Sequence, residues 1–281
     1  MALRLDAVGE EWEAPGRRWT SADAILYALG VGAGAGDPLA ELPYTTENSH
    51  GVGQRVLPTF AVMLGGAGSM SALGDFDLSQ VLHAEQSVTL HGPLPVEGAS
   101  VTRSRVAAFY DKGRNAIAVT EGVITDAATG AILAEVAAGL FIRGEGGFGG
   151  ERGSAARWER PAREPDHVVT YPTRPEQALL YRLSGDRNPL HSGPRLAERA
   201  GFDRPILHGL CTYGFTGRAL LHTVCGSDPA RFGGMSARFA APVFPGQELT
   251  VAIWEDDGVF LFQTTAAGKI VLDRGTFIKR S

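Results

Sequence analysis

The chain is poor in cysteine and in long apolar runs. Only two cysteines, Cys211 and Cys225, occur among 281 residues, which is too few for a disulfide framework. No apolar run reaches the roughly 18–20 residues that a membrane-spanning helix needs. No charged N-terminal region followed by an apolar stretch marks a secretory leader. We therefore expect a protein of the reducing cytoplasm with no membrane partner.

The charges are also few, and neither sign dominates. Lysine and arginine number 26, aspartate and glutamate number 31, and the formal net charge is -5. The basic residues are scattered, whereas a nucleic-acid partner calls for a concentrated basic patch. Hydrophobic residues make up 44% of the chain, which is typical of a globular protein with a substantial core. We expect a globular protein that does not bind nucleic acid.

Helical patterns precede strand patterns in the first half. Thr20 and Asp23 have the spacing of a capping box and predict a short helix over residues 24–29. The apolar segment from Val56 to Leu64 predicts a second helical stretch. Between residues 81 and 143, β-branched runs broken by turn residues predict four antiparallel strands.

The second half repeats this order. An apolar helix is predicted from Pro175 to Leu183, a long helix near Pro205 to Val224, and strands from Met235 to Ile278. Such a repeat indicates duplication of an α+β unit in which an antiparallel sheet wraps a central helix, because each apolar helix needs an apolar sheet face to cover it.

A glycine-rich segment separates the two repeats. Residues 144–165 have no apolar period and predict a linker, which divides the chain into residues 1–150 and residues 151–281. When the halves are aligned on their shared local sequence, Ala40 stands where His191 stands. If the halves are homologous, only the second kept polar chemistry at this position.

The loop after the second-half helix carries the most chemistry. It presents Asp186, Asn188 and His191 on a segment stiffened by proline. A carboxylate and a neutral imidazole that converge on one water can remove and return protons near neutral pH. The same residue types also cap turns and helices. Their spacing alone leaves both interpretations open.

A glycine near the start of the long second-half helix offers a second element of chemistry. Pro205 comes early, and Gly209 follows in the predicted first turn. The first amides of a helix lack intrahelical partners and the helix dipole favours negative charge, so the Gly209 amide suits an oxyanion. The alternative is that Gly209 only permits close packing of the helix.

Together these motifs resemble a known family. The segment Ser184-Gly185-Asp186-x-Asn188-Pro189-Leu190-His191, followed by residues 200–212, is similar to the signature of type-2 enoyl-CoA hydratases. This MaoC-like family includes the hydratase domain of peroxisomal multifunctional enzyme type 2. Shorter matches extend the resemblance over nearly the whole chain, at residues 27–32, 57–60, 81–83, 111–113 and 146–150.

The resemblance implies an α+β double hot-dog fold and a role for each matched residue. It implies that Asp186 and His191 activate a water, that Asn188 helps to hold the site, and that the Gly209 amide polarises the thioester carbonyl. Four further residues match positions that contact the acyl-CoA: His83, Ala84, Lys112 and Phe239. At Ala84 the family usually has glycine, so the resemblance leaves the shape of the ligand channel open there.

The implied reaction is the reversible syn addition of water across a trans-2-enoyl-CoA, which gives an (R)-3-hydroxyacyl-CoA. The resemblance implies an acyl-CoA thioester as substrate and a homodimer. Proton transfer and carbonyl polarisation need no cofactor, and the histidines show no ligand spacing for a metal, so neither is predicted. One alternative is a hot-dog thioesterase, against which the complete Asp-x-Asn-Pro-x-His set argues. The other is a non-catalytic acyl-CoA binding module, which would be expected to have lost Asp186 or His191. Both residues are present.

Overall fold

The helices are short except for one in each half. The computed structural model describes residues 3–14, 16–65, 70–77, 80–153 and 158–281. The α-helices are α1 (Ser21–Gly30), α2 (Leu42–Thr45), α3 (Ala61–Leu64), α4 (Met70–Leu73), α5 (Gln177–Tyr181), α6 (Pro194–Arg199) and α7 (Gly209–Thr223). Single 3-10 turns lie at Leu5–Ala7, Pro58–Phe60, Arg182–Ser184, Pro189–His191 and Pro229–Arg231.

The strands of both halves form one antiparallel sheet. They are β1 (Glu11–Ala14), β2 (Arg18–Trp19), β3 (Val81–Leu90), β4 (Gly98–Asp111), β5 (Ala116–Asp126), β6 (Ile132–Ile142), β7 (His167–Pro172), β8 (Phe232–Phe239), β9 (Glu248–Asp256), β10 (Val259–Ala266) and β11 (Lys269–Lys279). Their order is β1-β4-β5-β6-β3-β8-β11-β10-β9-β7, with β2 beside β4. The halves therefore meet where β3 pairs with β8, and Ser87 lies opposite Ser236.

The second-half sheet wraps α7. In β9, the side chains of Leu249, Val251 and Ile253 are buried at alternate positions, as expected of a strand with one face on the core. Helix α7 is buried continuously from Cys211 to Leu221, because the sheet covers it on several sides. The predicted arrangement of an antiparallel sheet around a central helix is confirmed.

The first-half helices are confirmed in part. Thr20 and Asp23 form the predicted capping box, in which the Thr20 amide donates to the Asp23 carboxylate at 2.8 Å. The stretch predicted as helical from Val56 begins only at Pro58, as a 3-10 turn that leads into α3. Proline suits the first position of a helix because an N–H there would have no acceptor within the helix, so its absence costs little. Beyond this turn, α3 and α4 have four residues each.

Several predicted boundaries were wrong. Helix α7 begins at Gly209 and not near Pro205. Before it, the Leu207 amide donates a hydrogen bond to the Val243 carbonyl at 2.7 Å, outside the helix. Strand β8 begins at Phe232, before the predicted Met235. The sequence prediction also missed β7, a short strand in which only Val169 and Tyr171 are half-buried against the core.

The described part of the predicted linker contains no helix or strand, yet its backbone is held in place. We call residues 144–153 the strap. The Asp111 carboxylate accepts hydrogen bonds from the strap amides of Gly147 at 3.1 Å and Gly149 at 2.7 Å. Beyond the strap, the Trp158 indole donates to the Gly275 carbonyl at 3.0 Å. Within the described ranges, no helix has the length and apolar character to cross a bilayer.

Candidate active site

A cavity of about 1200 Å³ is lined by residues of both halves. Its second-half wall comes from the loop after α5 and from the start of α7, and its first-half wall comes largely from β3, β5 and β6. All the residues singled out in the sequence lie on it: His83, Ala84, Lys112, Asp186, Asn188, His191, Gly209 and Phe239. The fold thus brings residues that are far apart in sequence to one enclosed space.

The turn that carries Asp186 is shaped by a glycine and two side-chain caps. Gly185 has a φ of +134°, a backbone conformation that favours glycine. The Asp186 carboxylate accepts a hydrogen bond from the backbone amide of Asn188 at 3.1 Å. The side-chain oxygen of Asn188 accepts one from the backbone amide of Leu190 at 3.0 Å. Asn188 therefore caps the 3-10 turn that ends at His191. Its capping function is shown, while a catalytic contribution stays a prediction.

The His191 ring is fixed in one tautomer. Its Nδ1 lies 2.9 Å from the Ile206 carbonyl, and because a carbonyl only accepts, Nδ1 carries the proton and Nε2 carries the lone pair. Burial lowers the pKa of His191, although the Ile206 carbonyl and the Asp186 charge partly oppose this effect. His191 is therefore a neutral base near neutral pH.

His208 packs directly on His191. The two rings stack with centroids 3.8 Å apart, and His208 Nε2 donates to the Asp186 carbonyl at 3.2 Å. Burial, together with the nearby His191, lowers the pKa of His208 to about 2. The sequence analysis gave His208 no role, since a histidine before a helix has no distinctive spacing. The structure places it against Asp186 and His191, the predicted acid/base pair.

Asp186, His191 and His208 also form a group that could hold a metal ion. One ligand atom from each lies within 4.8 Å of the others. However, His191 Nδ1 and His208 Nε2 already donate to backbone carbonyls. The two rings are also stacked, so the lone pairs of their other nitrogens do not point at one common position. The expectation of no metal stays a prediction.

Arg17 joins the two halves at this turn. Its guanidinium donates to the Met63 carbonyl at 2.8 Å and to the Ser184 carbonyl at 2.5 Å. A Cβ atom on Gly185 would lie 2.8 Å from Arg17 Nη1, so a side chain there would displace the guanidinium from its present position. No motif surrounds Arg17 in the sequence, and the prediction missed it.

Gly209 is the first residue of α7 and packs against Phe239. A Cβ atom on Gly209 would lie 3.0 Å from the Phe239 ring, so the packing interpretation of this glycine is correct. The oxyanion interpretation is compatible with it, because amides in the first turn of a helix have no intrahelical acceptor. The Phe239 ring in turn lies 4.8 Å from the His83 ring.

The two predicted β3 residues lie opposite this wall. His83 Nε2 donates to the Glu85 carbonyl at 3.0 Å, and burial lowers the pKa of His83 to about 4. Ala84 is the extra residue of a bulge between His83 and Glu85 on the β6 side. Ala84 is not among the described residues with positive φ, so its backbone accepts alanine in place of the family's glycine.

Lys112 belongs to another part of the cavity wall. Its ammonium group donates to the Arg152 carbonyl of the strap and lies 5.6 Å from the centre of the Tyr110 ring. Lys112 thus already has internal partners. The structure leaves its predicted contact with CoA untested.

The first half contributes an apolar region to the cavity. On β6, Val136, Ala138 and Leu140 line it at alternate positions, as one face of a strand does. Met63 of α3 and Met70 of α4 line it as well. This region has the size and chemistry to hold an extended apolar group.

Comparison with known proteins gives matches over both halves. The MaoC like domain matches residues 157–273, and the MFE-2 hydratase 2 N-terminal domain matches residues 18–144. The chain is 47% identical to 3-hydroxyacyl-thioester dehydratase Y of Mycobacterium tuberculosis, with 98% of each protein covered. It is 43% identical to enoyl-CoA hydratase ChsH3 of the same organism, with 91% of each covered.

Solved structures agree with the architecture. A MaoC-like dehydratase from Phytophthora capsici has a TM-score of 0.87 and 32% identity, over 99% of this chain and 98% of that chain. A Mycobacterium tuberculosis protein described as having a double hotdog fold has a TM-score of 0.62 and 15% identity, over 97% of this chain and 96% of that chain. The predicted double hot-dog fold is confirmed.

Proposed function

This chain belongs to the MaoC-like hydratases with an MFE-2 hydratase 2 N-terminal domain and is a hydro-lyase, and from that premise we propose its reaction. It adds water reversibly to a trans-2-enoyl-CoA and gives an (R)-3-hydroxyacyl-CoA, with no redox cofactor and no metal. The observation that carries this proposal is the placement of Asp186 and His191 on one cavity wall that also includes Gly209.

The acid/base step needs only side chains of this wall. In hydration, the Asp186 and His191 pair removes a proton from water as the water oxygen bonds to C3, and returns a proton to C2. The neutral His191, with its Nε2 lone pair, supports this step because a base must be unprotonated to accept the proton. The Gly209 amide donates to the thioester oxygen, where negative charge develops as C3 is attacked.

Two residues hold the pair in place through hydrogen bonds to backbone carbonyls. His208 donates to the Asp186 carbonyl and stacks on His191, so it fixes the relative position of both groups. Arg17 fixes the start of the same turn through the Ser184 carbonyl. We assign both as positioning residues. Proximity and orientation contribute to rate only while the reacting groups are held in geometry.

The two halves have different roles in this reaction. The first half, residues 1–150, accommodates the acyl group in its apolar region, and the second half, residues 151–281, carries out the chemistry. His83, Ala84 and Phe239 line the passage between them, and Lys112 contacts the CoA portion. The homodimer and the cytoplasmic location inferred from the sequence are retained as part of this proposal.

The test is a spectrophotometric hydration assay across short, long and branched trans-2-enoyl-CoAs, with chiral analysis of the product. We expect loss of the enoyl absorbance and a purely (R) alcohol. An (S) product would contradict the assignment. Thiol release measured on the same substrates separates hydration from the thioesterase alternative, because hydration leaves the thioester intact.

A further inference from the structure

Strand β11 contains a residue whose backbone has the left-handed conformation. Arg274 has a φ of +53°. Ser227, Asp257 and Ala267 are the other non-glycine residues with positive φ in the described ranges, and all three lie in turns. In a turn, this conformation helps to reverse the chain. Arg274 lies inside a strand and needs another explanation.

Arg274 is the extra residue of a β-bulge. Between Asp273 and Thr276, β11 has two residues where the paired stretch of β8 has one. Between Leu272 and Gly275, it has two residues where the paired stretch of β10 has one. The following residue, Gly275, leaves no room for a Cβ atom beside the Phe262 ring. Its carbonyl accepts the Trp158 indole at 3.0 Å. The bulge is therefore fixed from both sides of the strand.

The side chain of Arg274 faces the cavity. It is half-buried and lines the cavity wall, and its guanidinium has no hydrogen-bond or ion-pair partner among the described residues. The adjacent Asp273 carboxylate instead accepts the Gln263 amide at 2.7 Å. Glycine is the usual residue at this kind of bulge, and an L-residue there is strained. This strain is not offset by any contact within the described protein.

The position of the bulge relative to the proposed oxyanion site suggests its ligand. Leu272 pairs with Phe239, whose ring packs on Gly209. Arg274 lies two residues further along β11, about 7 Å along the strand at the usual rise. A thioester substrate with its carbonyl at Gly209 has its carrier arm outside the acyl pocket, and that arm bears phosphate.

We propose that Arg274 binds a phosphate of the carrier arm of the thioester substrate, an inference that rests on the proposed function. The planar guanidinium is suited to paired hydrogen bonds with a phosphate. The strained backbone of the bulge orients the Arg274 side chain toward the cavity. The phosphate belongs either to the pantetheine 4′ position or to the nucleotide of CoA, and substrates that differ only there separate the two.

The decisive variant is Arg274→Gly, which suits the bulge and removes the cation. We expect its melting temperature to rise, because the left-handed strain is relieved. We expect KM for an enoyl-CoA to rise about tenfold with little change in kcat, because a contact made equally in ground and transition states contributes uniform binding. Ala267→Gly is the matched control, since it relieves the same conformation in a turn and should leave KM unchanged.

Three substrates locate the contact. On an enoyl-pantetheine, which has no phosphate, KM should be the same for wild type and Arg274→Gly. An increase in KM on both enoyl-phosphopantetheine and enoyl-CoA supports the proposal and assigns the 4′-phosphate. An increase on enoyl-CoA alone supports it and assigns the nucleotide. Equal increases on all three substrates, or no increase on any, overturn it.

Calorimetric titration with free CoA keeps this test independent of turnover. If no hydration is observed but CoA affinity falls in Arg274→Gly, the proposed function fails while the phosphate site stands. If hydration is observed, and if enoyl-CoA KM and free CoA affinity are equal in wild type and variant, the phosphate site fails while the function stands.

Discussion

At the scale of single residues, the site depends on two buried imidazoles that stay neutral. Burial lowers the pKa of both His191 and His208. Each ring is held by one backbone carbonyl. His191 therefore presents its unprotonated Nε2 to the cavity at physiological pH, whereas His208 is not among the residues that line the cavity. These contacts support the proposed roles of His191 as a base and His208 as a positioning residue.

The first prediction concerns the acid/base pair. Asp186→Asn and His191→Ala should each lower kcat by about 10²-fold or more, because positioned proton transfer contributes on that scale. Steady-state kinetics with an enoyl-CoA measures the loss, and circular dichroism checks that the fold survives. Near-normal turnover in either folded variant would remove that residue from the mechanism.

The second prediction concerns His208. His208→Phe keeps an aromatic ring against His191 but leaves the Asp186 carbonyl without its donor, and we expect kcat to fall about tenfold with KM nearly unchanged. His208→Gln, whose Nε2 can donate to the same carbonyl, should recover most of the lost kcat. Equal kcat in the two variants would show that the hydrogen bond does not position the pair.

How far the residues could be predicted depends on whether their role is local. Asp186, Asn188 and His191 lie within one short turn, so their spacing was visible in the sequence. Arg17 acts across the halves on the Ser184 carbonyl, and nothing near Arg17 in the sequence indicates that distant acceptor. For His208 the contact is also non-local, and its stacking partner could be identified only from the fold.

At the scale of elements, α7 is anchored by an ion pair near its C-terminal end. Arg218 and Glu41 are both buried, with an N–O distance of 2.8 Å, and His222 Nε2 also lies 2.8 Å from Glu41. Burial alone would raise the pKa of Glu41. The His222 hydrogen bond, the Arg218 charge and the Gly34 amide together lower it to about 2. A first-half loop is thereby tied to the central second-half helix.

The third prediction follows from that pKa. Glu41→Gln should lower the free energy of unfolding at pH 7 by about 3–5 kcal/mol, because it leaves Arg218 buried without its counter-charge. The folded pKa lies below the unfolded value of about 4.3, so this stabilisation is complete above pH 4.3 and is lost as pH falls toward 2. Denaturant titrations of both proteins from pH 7 to pH 3 measure the difference.

An exposed contact between a histidine and a glutamate serves as the control. Glu135 and His91 form a pair on the surface, and Glu135→Gln should change stability by no more than about 1 kcal/mol at any pH. A Glu41→Gln effect as small as this, or one that grows toward low pH, would contradict the proposed role of the buried pair.

Elements with a local signal were predicted and those without one were not. The capping box of α1 and the alternating apolar residues of the strands are properties of neighbouring residues. Strand β7 packs only two half-buried side chains, Val169 and Tyr171, against the core, and its edge position depends on pairing with β9. The pairing of β3 with β8 was likewise invisible, because it joins segments from different halves of the chain.

At the scale of the whole molecule, the duplicated halves differ in how they fill their sheets. Helix α7 fills the second-half sheet with fifteen residues, whereas α3 and α4 are single turns. The apolar cavity region lies against the first-half strands β5 and β6. The same fold thus supplies a packed core in one half and, in the other, the apolar space where we propose that the acyl chain binds.

The fourth prediction tests that space. Ala138→Phe places a large ring on the cavity face of β6, and we expect kcat/KM for long-chain enoyl-CoAs to fall about tenfold or more while crotonyl-CoA is hydrated normally. Ala137→Phe changes the neighbouring residue, which is on the other face of the strand. It should not alter the chain-length profile. An equal loss on short and long substrates in Ala138→Phe would place the acyl chain elsewhere.

The seam between β3 and β8 also has a consequence for synthesis of the chain. Until translation reaches Arg238, the nascent first half exposes one edge of β3, with a row of unpaired amides and carbonyls. Such open edges pair with strands of other chains. At a translation rate of about 5–20 residues per second, this edge stays unpaired for several seconds. A fragment of residues 1–150 should therefore associate through β3 and sediment as aggregate, whereas the full chain closes this edge against itself.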